Sequence, residues 1–87
     1  MASYRLEFKR SVAQDLRALP KKNVQRILKR IEALRDDPRP VGSEKLSASE
    51  RYRIRQGLYR ILYEIHDQRL LVVVVKVAHR RDVYRGR

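Results

Sequence analysis

The residues of this chain best suited to chemistry are arginines. Arg51, Arg53 and Arg55 take every second position of the segment Arg51-Tyr52-Arg53-Ile54-Arg55, and Arg60 follows soon after. Alternation with Tyr52 and Ile54 marks a half-buried strand, which places the three arginines on its outer face. Gln56-Gly57 reads as a two-residue hairpin turn in which the glycine supplies a positive φ. With those two residues at the tip, 55 pairs with 58, 54 with 59 and 53 with 60. Tyr52, Ile54, Tyr59 and Ile61 then share a buried face, and Arg53 lies directly across from Arg60 on the open one, with Arg55 beside them. A second turn of three residues, 67–69, sets 66 against 70 and 60 against 76, which adds Lys76 to the group. Cations placed opposite one another destabilise a sheet. A guanidinium also grips the oxygens of an oxyanion through parallel hydrogen bonds. The grouping therefore points to an anion held between the arginines. For any one arginine the plainer reading is a soluble strand residue whose stem covers apolar surface; the convergence of several favours a site.

The C-terminal stretch His79-Arg80-Arg81-Asp82-Val83-Tyr84-Arg85 adds to the same surface. A solvated basic tail is the plain alternative, but Val83 and Tyr84 are unlike a frayed end. The segment is expected to fold back beside the arginine face. His66, next to a turn, reads as an ordinary surface residue. The two histidines and the scattered acids have no metal-ligand spacing, so no metal and no cofactor is expected. There is no glycine-rich phosphate loop, no serine nucleophile elbow and no carboxylate pair.

The elements that must position these residues follow from periodicity. Tyr4 to Phe8 alternates as a strand. Val12, Leu16 and Leu19 fall at helical spacing, and Pro20 ends that helix or begins the next. Val24, Ile27, Leu28, Ile31 and Leu34 form one apolar stripe over three turns, closed by Pro38 and Pro40. Val41 to Glu50 is small and polar and reads as a loop. Strands follow at 51–55, 58–66 and 70–78, the last almost wholly apolar, as suits the middle of a sheet. The order is βααβββ. This predicts an α+β fold, two helices packed on one face of a small, mostly antiparallel four-stranded sheet whose other face is open.

Size and charge narrow the partners. Eighty-seven residues make one domain, 1–87, with a modest core. Lysine and arginine outnumber aspartate and glutamate by 22 to 10, a formal charge of +12. Self-repulsion of that size weakens the free protein and favours a polyanionic partner. The longest apolar run, Leu70 to Val75, is far short of the roughly 20 residues of a spanning helix, so a membrane is not expected. Cysteine is absent, which excludes disulfides and thiolate metal sites. The N-terminus lacks the apolar stretch of a secretory signal, so a cytoplasmic location is expected.

The block from Tyr52 to Ile65, the valine-rich strand after it and His79-Arg80-Arg81-Asp82-Val83-Tyr84-Arg85 together resemble the RelE toxins of the RelE/ParE toxin–antitoxin superfamily. The likeness covers essentially the whole chain, including the βααβββ order. It implies a metal-free endoribonuclease that cuts mRNA codons in the A site of the 70S ribosome and is held inactive by an acidic antitoxin. Operator DNA, bound through the antitoxin complex, is a further partner known among relatives. The family's active positions fall on Arg53, Arg55, Arg60, Arg80 and Tyr84, with His79 at a position that is basic or histidine in relatives. Arg51, Lys76, Arg81 and Arg85 then serve as RNA-binding residues. The best-known member carries lysines at the positions of Arg53 and Arg55. Arginine stays protonated, so proton abstraction would pass to Tyr84, its phenol acidified by neighbouring arginines, or to His79. Two rivals remain. A ParE-like toxin shares the fold but inhibits DNA gyrase without nuclease chemistry, although ParE-like chains generally lack the full set Arg60, Arg80 and Tyr84. A non-catalytic RNA- or ribosome-binding module would need only the basic face.

Overall fold

The computed structural model describes residues 3–46 and 50–83, with the backbone alone for 82 and 83. The chain runs β1 (Arg5–Phe8), α1 (Arg10–Arg17), α2 (Lys21–Ala33), β2 (Glu44–Lys45), β3 (Arg51–Gln56), β4 (Tyr59–His66), β5 (Leu71–His79) and the short α3 (Arg80–Val83). Both long helices bury most of their apolar stripes; Leu28, expected within the second, is instead 40% exposed. Val12 of α1 and Ile27 and Ile31 of α2 are fully buried, with Leu34 just beyond. Pro20 caps α2: its carbonyl accepts the amides of Asn23 and Val24, while its own missing N–H is no loss at that position. The helices meet Ile54, Ile61, Tyr63, Val72, Val74 and Val77 of the sheet in one core. Among the described residues no helix is long and apolar enough to cross a membrane.

The sheet departs from the sequence expectation in strand number. It has five strands, in the order β1-β5-β4-β3-β2, not four. The extra strand lies in the segment read as a loop. Glu44 and Lys45 pair antiparallel with Arg53 and Tyr52, too short a run to carry any pattern. β1 pairs parallel with β5, and the remaining pairings are antiparallel.

The first turn also moves. Gln56 pairs with Tyr59, Arg55 with Arg60 and Ile54 with Ile61, so the tip is Gly57-Leu58, not Gln56-Gly57. Gly57 has φ +60 and Leu58 keeps a negative φ. That is the pattern of a type II′ turn, which needs positive φ only at its first central residue, whereas a turn centred on Gln56-Gly57 in the I′ form would force glutamine there as well. The correction displaces each pairing by two residues, so every side chain stays on its expected face. Arg60 is opposite Arg55, however, and Arg53 is opposite Leu62.

The second connection is longer than expected. A 3-10 turn over Asp67–Arg69 is followed by Leu70 in the left-handed region, φ 49, and His66 pairs with Leu71, not with residue 70. Left alone, that extra residue would turn Lys76 toward the helices. The register slips once more between Leu62 and Tyr63: Tyr63 faces Val74, Leu62 faces Lys76, and Val75 is a bulge. Lys76 thus reaches the open face after all, across from Leu62 and not from Arg60. Past Val74, where β1 ends, the Val77 amide donates to the Asp15 carboxylate of α1 at 3.1 Å. That bond satisfies an edge donor that would otherwise be orphaned.

A clamp invisible in the sequence ties the remote loops together. The Tyr63 hydroxyl donates to the Pro38 carbonyl at 2.7 Å, and its ring stacks on Tyr52 with centroids 5.9 Å apart. Arg39 lies over the Tyr52 ring, donates to the Tyr52 hydroxyl at 3.1 Å, and holds Asp67 through two bonds of 3.2 and 2.8 Å. The Tyr4 hydroxyl donates to the same carboxylate at 2.7 Å. These contacts hold the Asp67 carboxyl down at about 2, the Arg39 bonds contributing most and the Tyr4 bond next. Burial pushes the Tyr63 phenol up to about 12.

Candidate nucleic-acid interface

The open face of the sheet arranges its polar residues in rows across the strands. One row carries Arg55 and Arg60 side by side and ends on Ala78 of β5. The next carries Glu44, Arg53, Leu62 and Lys76. The third places Arg51 against Glu64. Arginines recur at every second position because a β-strand alternates its faces, and the II′ turn keeps Arg55 and Arg60 in direct opposition.

Carboxylates moderate two of these cations. Arg51 pairs with Glu64 at 3.3 Å. Arg53 pairs with Glu44 of β2. Its hydrogen bond and charge hold the Glu44 carboxyl below the usual carboxylate range, helped by the fields of Arg55 and Arg60. Arg55 is exposed and makes no side-chain hydrogen bond or ion pair among the described residues. Arg60 is half-buried, its Nε and Nη1 atoms lying beneath the surface.

α3 completes the group. The Arg80 amide donates to the Leu58 carbonyl at 2.8 Å, which fastens the helix to the tip of the β3–β4 hairpin. Arg80 therefore lines, with Arg55, Gly57, Leu58, Tyr59 and Arg60, a narrow cleft of about 30 Å³. That is the volume of about one water molecule, enough for one phosphate oxygen. A broader cleft of about 300 Å³ adjoins it, lined by Arg30, Gly42, Glu44, Arg53 and Arg55. Arg55 borders both clefts, so a strand of phosphates could pass from one to the other.

The expected residues divide accordingly. Arg55, Arg60 and Arg80 come together at one cleft, and Arg53 stands in the neighbouring one. Lys76 shares the face but lies across Leu62 from Arg53. Arg51 is a row further away, and Arg81 is exposed on α3. Tyr84 and Arg85 lie outside the described residues. His79 is placed elsewhere. It pairs with Tyr59 and meets that ring edge-on, with centroids 5.8 Å apart, on the same side of the sheet as Ile61 and Val77 and away from Arg55 and Arg60. His66 is more than a surface residue: it is half-buried, with Nε2 3.0 Å from Glu64 and Nδ1 3.3 Å from Glu50.

Sequence reasoning missed Arg30 and Glu44. Arg30 lies off the apolar stripe of α2, where a charge ordinarily faces solvent. Glu44 lies in a stretch with no periodicity at all.

Fold and surface together define a class: a small basic α+β domain with helices on one side of its sheet and a cluster of guanidinium groups on the other. The family model described as ParE toxin of type II toxin-antitoxin system, parDE, matches residues 6–84. Toxin RelG of Mycobacterium tuberculosis is 31% identical over 84 residues, covering 94% of this chain and 97% of that one. Among solved structures, the archaeal RelE-RelB complex from Pyrococcus horikoshii superposes with a TM-score of 0.81 at 27% identity, covering 90% of this chain and 96% of the other. The RelB-RelE antitoxin-toxin complex from Methanococcus jannaschii superposes with a TM-score of 0.72 at 25% identity, over 91% and 95%. The chain belongs to the RelE/ParE superfamily of type II toxin–antitoxin toxins, with RelE proteins among its relatives.

Proposed function

We propose that this toxin is a ribosome-dependent endoribonuclease that cuts mRNA in the A site without a metal ion. The observation that carries this reading is the convergence of Arg55, Arg60 and Arg80 on one cleft of oxygen-atom size. Cleavage by this route breaks the phosphorus–O5′ bond. The RNA's own 2′-hydroxyl attacks the adjacent phosphorus, loses its proton to a base, and forms a 2′,3′-cyclic phosphate, while the departing 5′-oxygen gains a proton. Negative charge accumulates on the phosphorane. Fixed guanidinium groups in a half-buried cleft stabilise that charge better than water does. Arg60, the least exposed of them, is assigned to the scissile phosphate, Arg55 to the neighbouring one, and Arg80 to the leaving 5′-oxygen. Tyr84, which follows α3 directly in sequence, is assigned the stacking of a base or the handling of the 2′-hydroxyl proton.

An acidic antitoxin is the second partner. The solved relatives include RelE bound to RelB, and this chain carries +12 for such a protein to neutralise. A disordered acidic segment that folds over the basic face would relieve that repulsion.

The test is to add antitoxin-free toxin to translating ribosomes and map mRNA ends by primer extension. New ends within A-site codons are expected, with a drop on the order of 10²- to 10³-fold in Arg60→Ala, the scale of one lost oxyanion donor. The ParE description of the matching family model favours one second reading, inhibition of DNA gyrase. Intact mRNA together with blocked supercoiling would establish that alternative.

A further inference from the structure

The one histidine at the sheet's functional end is placed where it cannot face the arginine cleft, yet its ring makes two specific contacts. His79 is the last residue of β5, and α3 begins at Arg80. Its Nδ1 accepts the backbone amide of Arg81 at 3.2 Å. That is the geometry of an N-cap: a side-chain acceptor on the residue before the helix binding the second helical amide, one of the donors a helix end leaves without a partner. An accepting Nδ1 carries no proton, so the ring proton is on Nε2. The ring is held from its other side by the edge-on contact with Tyr59, whose hydroxyl accepts a hydrogen bond from Asn23 of α2 at 3.2 Å. A chain of contacts thus runs from α2 through Tyr59 and His79 to the first turn of α3.

Arg80 lies inside this arrangement. Its own amide is fixed to Leu58 of the hairpin tip, and the next amide is fixed to His79. Two successive amides, one anchored on the hairpin tip and one on the last residue of β5, set the direction in which α3 leaves the sheet, and therefore where the Arg80 guanidinium enters the cleft it shares with Arg55 and Arg60. α3 is a single turn, too short to hold itself by its own hydrogen bonds.

We propose that His79 is a positioning residue: its imidazole caps α3 and aims Arg80, and proton transfer at the RNA is left to other groups. The catalytic part of this statement rests on the nuclease reading; the cap itself does not. The experiment separates the two by substituting His79 with three residues in the full-length toxin, and by recording ribosome-dependent cleavage and amide exchange at Arg81. Asparagine offers a carbonyl oxygen near the place of Nδ1 and cannot shuttle a proton. His79→Asn is expected to keep Arg81 protected and to cleave within about threefold of the parent. His79→Ala and His79→Gln should lose Arg81 protection. Their cleavage should fall on the order of 10²-fold, the scale of a displaced catalytic group. Nitrogen-15 spectra of the parent toxin should show the proton on Nε2. A protonated Nδ1, or loss of cleavage in all three variants while Arg81 stays protected, would overturn the proposal. If the parent toxin cuts no RNA, the nuclease reading fails and the Arg81 exchange data decide the cap alone.

Discussion

At the scale of single residues, the site is a balance between cations and the two carboxylates that partner them. Glu44 occupies Arg53, and a phosphate entering the broader cleft must compete with it. Glu44→Gln removes that competitor and one negative charge. Short single-stranded RNA should then bind several-fold tighter at low salt, measured by equilibrium titration. Unchanged affinity would mean that the phosphates avoid Arg53. Arg51 is in the same position with respect to Glu64. Arg55 and Arg60 were legible as a group because strand alternation displays its own arithmetic. The pairing of Arg53 with Glu44 was not, because it joins residues from a segment without pattern, and nothing local announces a contact of that kind. His79 was legible as a residue of the functional end but not for its side of the sheet, which the bulge at Val75 decides.

At the scale of elements, two connections carry distinct demands. Gly57 sits at φ +60 with nothing within 4 Å of where a Cβ would stand. Gly57→Ala therefore tests backbone conformation free of any clash. It should lower stability by about 1 kcal/mol, read from denaturant melts, through the cost of left-handed backbone for an L-residue. No loss would show that the hairpin tolerates another turn type. The Arg39–Asp67–Tyr4 clamp makes a claim about pH. Asp67 titrates at about 2 in the folded chain, below its ordinary value near 4. A depressed carboxyl stabilises the fold above the unfolded value, and that contribution disappears as the pH falls from about 4 through 2. The pair is half exposed, so the effect is under about 1 kcal/mol. Thermal melts of Asp67→Asn should show a flatter pH dependence in that window than the parent; parallel curves would remove the clamp from the stability account. Helix positions and the chain order βααβββ were legible because apolar spacing repeats over many residues. The fifth strand was not, since two residues cannot display a period, and the clamp was not, since it links positions up to 63 apart.

At the scale of the whole molecule, the charge of +12 governs association more than fold. Each phosphate neutralised releases counterions, so the logarithm of RNA affinity should fall linearly with the logarithm of salt concentration. Three cleft arginines give a slope of about −2 for a single strand. Arg80→Ala should reduce its magnitude by about 0.7, and an unaltered slope would place Arg80 off the phosphate path. The same field makes a negatively charged antitoxin segment a natural counterweight.

The bulge at Val75 has a consequence for the lineage of such chains. Strand residues keep time in twos, and one unpaired residue is half a beat. Draw Val75 into the ladder opposite Leu62, and the residues after it exchange sides: Lys76 and Ala78 turn inward against the helices, while Val77 and His79 turn outward beside the arginines. Deleting Val75 does the opposite: Val74 stays opposite Tyr63 and Lys76 opposite Leu62, so the strand is straightened and every face is kept. A chain one residue shorter within β5 and without the bulge would therefore keep the phase. Relatives that lack the bulge should therefore be one residue shorter in β5, the two changing together or not at all.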